Sequence, residues 1–255
     1  MPLDPISLDS RVRDAAKQLS FPSLFVTVSG AHLYGFASPD SDVDLRACHL
    51  LPLSSFAGLD SPRETVEIAR EENGLEWDIV SHDARKFFLL LLRASGYALE
   101  QVLSPLVVAS SDAHAELCEL ARQTISRRHA RHYLGFARGQ WKLFQGGNPP
   151  RVKPLLYTFR VLLTGIHLMR SGQLCADLEE LNDEFKVPRV DELIALKRAT
   201  KEKITLSNAE FDYFFGEFER LIKMLGEAQG ESKLRAEPEN RVEFDGLLRR
   251  LRRDA

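Results

Sequence analysis

The stretch VSGAHLYGFASPDSDVDLRAC, residues 28–48, carries most of the structural and chemical information in this chain. It predicts a strand, a turn between Gly30 and Gly35, a polar loop and a second strand. Asp42 and Asp44 are two positions apart, and alternate side chains of a strand point to the same face. The two carboxylates are therefore expected side by side, where their mutual repulsion favours a bound cation such as Mg²⁺, which prefers oxygen ligands.

The two glycines predict a turn whose backbone N–H groups can approach a phosphate closely. A phosphate-binding turn beside a carboxylate metal site is typical of phosphoryl or nucleotidyl transfer. The alternative is that residues 38–42, SPDSD, form an ordinary acidic turn with Asp44 on the surface. The preceding Gly-x₄-Gly turn favours the functional interpretation.

With these motifs, the sequence SGAHLYGFASPDSDVDLR resembles the nucleotidyltransferases of the DNA polymerase β superfamily. Their signature is Gly-Ser, a short helix and a strand with Asp-x-Asp, and the wording here is most similar to the YcgL-like branch, which is associated with RNA ligases. The resemblance implies an α+β fold in which a small mixed sheet with flanking helices is followed by an α-helical bundle. It also implies two Mg²⁺ ions, with Mn²⁺ as the alternative metal, bound by Asp42, Asp44 and a third carboxylate.

The third carboxylate is predicted to be Asp78. Residues 64–70 and 75–80 predict a hairpin, and the second arm, LEWDIV, alternates so that Asp78 and Glu76 share one face. Asp78 also precedes the apolar helix ARKFFLLLL at the distance that the resemblance implies, with Glu76 as the second choice. As a ligand it would help to bind the metal, and it would polarise the attacking hydroxyl or take its proton. The alternative is a solvated aspartate on an edge strand.

The resemblance places the phosphates of a nucleoside triphosphate on the glycine turn. The predicted contacts there are Ser29, Gly30, Ala31, His32 and Ser41, although a single histidine is more often structural. Ala31 stands where the family has serine, so one hydroxyl that usually contacts the triphosphate is missing. Ser29, Ser41 or backbone amides would compensate.

The helix VKPLLYTFRVLLTG, residues 152–165, is predicted to complete the nucleotide site. Lys153, Tyr157 and Arg160 share one helical face, and YcgL-like proteins carry a similar Lys-x₃-Tyr-x₂-Arg pattern. Lysine and arginine bind phosphates, and tyrosine can stack on a base or bond a ribose. The alternative is a solvated helix face with a tyrosine at the edge of the core.

Charge is distributed unevenly along a chain of 255 residues whose formal net charge is only −3. Residues 120–176 contain no Asp or Glu but ten Lys or Arg residues, which predicts an anionic partner. Four of these cations fall near one face of a predicted helix and are candidate RNA contacts: Arg127, Arg131, Arg138 and Lys142. Interleaved aromatic residues such as Trp141 would stack on bases or, equally, belong to the core.

The pattern predicts two domains, a nucleotidyltransferase domain at residues 1–110 and a basic α-helical domain at residues 111–255 that completes the nucleotide and acceptor cleft. A long helical stretch is expected over residues 112–144, with Gly135 and Gly139 as candidate positions for a bend. The RRLRRD cluster, residues 249–254, is expected to be a solvated face or frayed tail, with nucleic-acid contact as the alternative. Three scattered cysteines fit neither a disulfide framework nor a zinc site, which favours reduced thiols and a cytoplasmic location. Neither a signal peptide nor a membrane span is expected, since the longest apolar run is far too short.

The predicted function is therefore transfer of a nucleoside monophosphate from a nucleoside triphosphate to a hydroxyl or phosphate acceptor. RNA, such as a tRNA end under repair or modification, fits the acid-free segment. A protein acceptor, as in AMP-transferring nucleotidyltransferases of toxin–antitoxin systems, fits the same catalytic residues. A non-catalytic nucleotide- or RNA-binding module is the third possibility, and only Ala31 favours it.

Overall fold

The computed structural model describes residues 10–38, 41–72, 74–199 and 204–253. The chain divides into two compact units, and both are discontinuous in sequence. Unit 1 comprises residues 1–33, 42–125 and 237–255; unit 2 comprises residues 34–41 and 126–236. The division differs from the predicted boundary at residue 110, because a helix after this boundary and another near residue 250 belong to the first unit, whereas residues 34–41 belong to the second.

Unit 1 contains a five-stranded mixed sheet with strand order β3-β4-β2-β1-β5. The strands are β1 (Ser23–Val28), β2 (Val43–His49), β3 (Thr65–Glu72), β4 (Leu75–Asp83) and β5 (Val107–Ser110). The central pair β2–β4 is parallel, and the other three neighbouring pairs are antiparallel. Strand β1 is almost wholly buried, as expected for an apolar strand with neighbours on both sides.

In the described part of unit 1, six α-helices accompany the sheet: α1 (Ser10–Ala16), α2 (Gly30–Leu33), α3 (Ala84–Leu92), α4 (Gly96–Val102), α5 (Asp112–Gln123) and α11 (Arg241–Arg253). Helix α3 buries Phe87, Phe88 and Leu91, and Phe88 packs against Phe244 of α11. The hairpin predicted before α3 is present, with β3 and β4 paired over their full length.

Asp83, at the end of β4, is a fully buried carboxylate that accepts hydrogen bonds from three described residues. It caps α3 by accepting from the backbone N–H of Arg85 at 3.0 Å, and it accepts from the N–H of Leu51 at 3.0 Å. The guanidinium of Arg252 in α11 completes the set at 2.7 Å and lies over the ring of Phe56. The expectation that the arginine cluster after residue 248 is solvated is therefore wrong for Arg252, because burial of Asp83 requires a counter-ion.

Unit 2, outside residues 39–40 and 200–203, contains five α-helices: α6 (His129–Gln145), α7 (Val152–Ser171), α8 (Leu178–Phe185), α9 (Val190–Ala199) and α10 (Asn208–Glu231). Helix α7 is the most deeply buried of them, since its leucines and Phe159 are inaccessible to solvent. It ends at Gly172, which adopts the left-handed conformation typical of a C-terminal glycine. The indole of Trp141 stacks on Phe218 at 4.3 Å between ring centroids, so it belongs to the core.

The long helical stretch predicted over residues 112–144 is not continuous, because α5 and α6 are separate helices. Thr124 ends α5 by donating its hydroxyl to the carbonyl of Ala121 at 2.7 Å. Residues 125–128 form the break, and α6 then continues through Gly135 and Gly139 without interruption. Helix α8 was not predicted; the side chain of Asp177 caps it by accepting from the N–H groups of Glu179 and Glu180.

The predicted fold class is confirmed: the chain is α+β, with a mixed sheet followed in sequence by a run of helices. Among the helices that the structure describes, none is long and apolar enough to cross a membrane.

Candidate active site

The glycine turn and β2 meet at Asp44. The backbone N–H of Ser29 donates to the carbonyl of Asp44 at 2.9 Å, which joins the end of β1 to the start of β2. Gly30 has φ +63° and begins α2. A Cβ atom at Gly30 would overlap the carboxylate of Asp44, so only glycine allows this approach.

Asp44 and Asp78 occupy one position of the sheet. Strands β2 and β4 are parallel, and Asp44 is paired directly with Asp78 in their register. Residues paired in this way place their side chains on the same face. The Asp44 side chain is 21% exposed and that of Asp78 is 48% exposed, so both carboxylates can be reached from solvent.

Arg46 lies between these two carboxylates. Its Nη2 donates to Asp44 Oδ1 and to Asp78 Oδ2, at 2.8 Å in each case. Its Nη1 donates to the carbonyls of Leu45 and Asp78, and its Nε donates to the hydroxyl of Tyr97 in α4 at 2.6 Å. All five N–H groups of the guanidinium are thus engaged, which fixes the two carboxylates relative to the backbone of both strands.

The charge on Arg46 is stabilised in spite of its burial. Burial opposes the charged form, but Tyr97, Asp44 and Asp78 outweigh it and raise the pKa of Arg46 above its ordinary value. The guanidinium therefore remains a permanent cation between two acidic side chains. It reduces the repulsion that would otherwise separate them.

The donors fit a hard divalent cation in chemistry, because carboxylate oxygens are the ligands that Mg²⁺ prefers. Asp44 and Asp78 are the two carboxylates that lie close together. Their oxygens that accept from Arg46 are each 2.8 Å from the same Nη2 atom. Within the described residues, no three Asp, Glu, His or Cys side chains are grouped so that they could hold one ion. Asp42, the third predicted ligand, is half-buried directly before β2 and does not form such a group with Asp44 and Asp78.

The other predicted residues of the turn differ in their exposure. Ser29 is buried, Ala31 is buried in α2, and His32 is half-buried. Ser41 is half-buried, and its hydroxyl accepts from the N–H of Ser38 at 2.9 Å. Glu76, the second choice for the third carboxylate, is exposed on the same face of β4 as Asp78. It lies opposite Glu71 in the register of β3 and β4.

The predicted residues of α7 do not form one solvent-facing surface. Lys153 is exposed and Tyr157 is half-buried, whereas Arg160 is only 2% exposed. The guanidinium of Arg160 lies 3.8 Å from the centre of the Tyr34 ring, a cation–π contact. The ring of Tyr157 packs edge-on against Tyr34 and Phe36. Arg160 and Tyr157 thus hold residues 34–36, which belong to unit 2.

The basic residues of α6 remain candidates for an anion-binding surface. Arg131, Arg138 and Lys142 are exposed, and Arg127, just before the helix, is half-buried. Two aromatic residues between them, Tyr133 and Trp141, are buried and are therefore not available to bases. The core alternative for these rings is therefore the observed one.

A family model describes 244 of these 255 positions, residues 7–250, as the RNA repair pathway DNA polymerase beta family. This chain belongs to that family. The predicted membership of the polymerase β superfamily is thereby confirmed, and Asp44, Asp78 and the Gly30 turn lie within the matched region.

Two curated relatives are similar in sequence. The uncharacterized protein MJ0002 of Methanocaldococcus jannaschii is 31% identical over 159 residues, or 60% of this chain; the match spans 63% of that protein, less than two thirds of its length. The uncharacterized protein YcgL of Bacillus subtilis is 23% identical over 82% of this chain and 84% of its own. A solved nucleotidyltransferase-like protein from Exiguobacterium sibiricum is 12% identical, with a TM-score of 0.34 over 98% of this chain and 80% of that one.

Sequence reasoning missed Arg46 and Tyr97. Arg46 had a signal, because it follows Asp44 by two positions in the same strand and must share its face. Tyr97 had none, since its contact with Arg46 depends on how α4 packs on the sheet.

Proposed function

We propose that this chain is a metal-dependent nucleotidyltransferase that moves a nucleoside monophosphate from a nucleoside triphosphate to RNA. The observation that carries this proposal is the pairing of Asp44 with Asp78 on one face of the sheet, with Asp44 in close contact with Gly30. The family description, which names an RNA repair pathway, supports RNA as the acceptor, and an end of a tRNA is the acceptor that we favour. The acid-free segment over residues 120–176 supports it as well.

Asp42, Asp44 and Asp78 would hold the divalent cation, Mg²⁺ or Mn²⁺. When bound, such a cation lowers the pKa of a coordinated hydroxyl and stabilises charge on phosphate oxygens. Arg46 keeps Asp44 and Asp78 in register, so that their carboxylates are in place before the ligand arrives. Preorganised carboxylates need no reorganisation during the reaction.

In the transfer step, the acceptor hydroxyl oxygen forms a bond to the α-phosphorus, and the bond from this phosphorus to the bridging oxygen breaks. Pyrophosphate leaves with the electron pair of that bond. Asp78 is the more exposed of the two paired carboxylates, so it is the group that we assign to accept the hydroxyl proton. The backbone of the Gly30 turn, with Ser29 and His32, would contact the phosphates.

The test is transfer of radioactive phosphorus from the α-position of ATP, CTP, GTP and UTP to total bacterial RNA and total bacterial protein, with Mg²⁺ present. We expect label in RNA, and its loss in an Asp42→Ala/Asp44→Ala variant. Asp60→Asn, an exposed aspartate outside the site, is the matched control and should transfer normally. Label in protein instead of RNA would identify an AMP-transferring enzyme, and absence of transfer with nucleotide still bound would identify a binding module.

A further inference from the structure

A lysine and two serine hydroxyls meet just before Asp42. Lys197, in α9, places its Nζ 2.6 Å from Ser38 Oγ. Ser38 Oγ lies 3.0 Å from Ser41 Oγ, and Ser41 is the residue that precedes Asp42. All three residues belong to unit 2.

The charge on Lys197 is not neutralised by a neighbouring carboxylate in the part of the chain that the structure describes. Its sequence neighbour Arg198 is committed to Glu179 at 2.7 Å and to the carbonyl of Gly35. Arg189, at the other end of the same segment, pairs with Glu210 at 2.6 Å. Among the described residues, the polar partner of Lys197 is the Ser38 hydroxyl, so its positive charge is available to an anion.

The two hydroxyls extend this charge from Lys197 to Ser41. Ser38 accepts from Lys197, and Ser41 accepts from the backbone N–H of Ser38. When the Ser38 hydroxyl donates to Ser41, the proton of Ser41 is left to donate to a ligand. Ser38 is 5% exposed, which strengthens these contacts, whereas Ser41 and Lys197 are half-buried and can be reached.

We propose that Lys197, Ser38 and Ser41 form the site that binds the β- and γ-phosphoryl oxygens of the nucleoside triphosphate. An ammonium group and hydroxyl donors suit phosphate oxygens, which accept several charge-assisted hydrogen bonds. This inference deepens the function proposed above and rests on it.

The experiment measures the affinity of the folded protein for α,β-methylene-ATP, which cannot release pyrophosphate, and for AMP, by calorimetry with Mg²⁺. The ratio of the two affinities isolates the contribution of the β- and γ-phosphates, because base, ribose and α-phosphate are shared. We expect Lys197→Met to lower the affinity for the analogue by about tenfold or more and the affinity for AMP by less than about twofold. Ser41→Ala should weaken the analogue in the same direction.

Matched variants separate the site from folding. Lys186→Met removes another lysine of unit 2, one that pairs with Asp183 on the surface, and should leave the ratio unchanged. Lys197→Arg keeps the positive charge and should retain most of the preference for the analogue over AMP. If Lys197→Met fails to fold by circular dichroism, Ser41→Ala decides, since it removes a single oxygen atom from a half-buried position.

The outcomes distinguish this inference from the proposed function. A wild-type protein that binds the analogue no more tightly than AMP, and that does not bind pyrophosphate, would overturn both. A wild-type preference for the analogue that persists in Lys197→Met and Ser41→Ala would leave the function standing and place the triphosphate elsewhere. A loss of affinity for a short RNA, with no loss for the analogue, would assign these residues to RNA phosphates and overturn the inference.

Discussion

Asp44 and Asp78 in the sheet, and Lys153 and Arg160 in α7, are two pairs of charged residues that sequence spacing assigns to a nucleotide site. The sheet places its pair at the same register position, with both carboxylates accessible. The helix exposes Lys153 but buries Arg160 against Tyr34. Alternation along a strand fixes the face of every residue, whereas a helix has several faces, and residues outside the helix decide which are covered.

The largest loss of transfer activity is expected at Gly30, because the position of the Asp44 carboxylate depends on the missing Cβ atom of this glycine. Gly30→Ala would place a Cβ against the Asp44 carboxylate in a backbone conformation that alanine rarely adopts, so transfer activity should fall by about 100-fold or more. The assay is label transfer, with thermal unfolding to measure stability. Gly58→Ala is the control, because nothing lies near its Cβ position. Full activity of Gly30→Ala would show that Asp44 need not be held where it lies.

Arg46→Lys sharpens the comparison by removing the connection between the two strands while keeping the charge. Lysine has three N–H donors at one point, so it cannot reproduce five bonds to two carboxylates, two carbonyls and Tyr97. We expect transfer to fall by about 100-fold when it is assayed at a temperature well below that at which the variant unfolds. Arg85→Lys, at an exposed pair with Glu64, should change transfer little. Equal activity of both variants would contradict a positioning role for Arg46.

The helical unit should respond to acid through His129. This histidine is fully buried, and burial lowers its pKa to about 4, with a smaller opposing contribution from the carbonyl of Ser126. Between pH 4 and the ordinary histidine pKa, the unfolded state binds the extra proton, so stability falls as pH falls through this window. The loss is of order 3 kcal/mol.

Urea unfolding at several pH values measures this loss. His129→Asn should make the free energy of unfolding depend less steeply on pH in that window. An unchanged slope would show that His129 is not the group that titrates. The two regions should then differ in how their charges respond to pH, since His129 of the helical unit titrates whereas Arg46 of the sheet keeps its charge throughout this range.

The smallest effect is expected from the exposed member of the helix pair. Lys153→Ala should change the free energy of unfolding by less than about 0.5 kcal/mol, as surface substitutions do. Arg160→Met should destabilise by about 1–2 kcal/mol, because it removes a shielded cation–π contact with Tyr34. If Lys153 binds phosphate, its variant raises the KM for the triphosphate without changing stability. A KM equal to that of the wild type would remove Lys153 from the nucleotide site.

The sequence was sufficient for the sheet and insufficient for the helical half. Period-two alternation located β2 and β4 and placed Asp44 and Asp78 on accessible faces, because strand geometry is local. The break between α5 and α6 escaped prediction, since Thr124 and Ser126 act through side-chain hydrogen bonds that have no periodicity. Lys197 escaped as well: its contact with Ser38 joins residues that are 159 positions apart.

The bond between Asp83 and Arg252 also spans a long stretch of chain, 169 positions, and this has a consequence for biosynthesis. Ribosomes add about 5–20 residues per second, so a nascent chain carries the Asp83 carboxylate for on the order of 10 s before Arg252 has been made. All of residues 126–236, which fold into the other unit, are translated in that interval. The sheet unit is thus begun first and completed last, and a fragment that stops at residue 125 would lack the counter-ion of its most deeply buried acid.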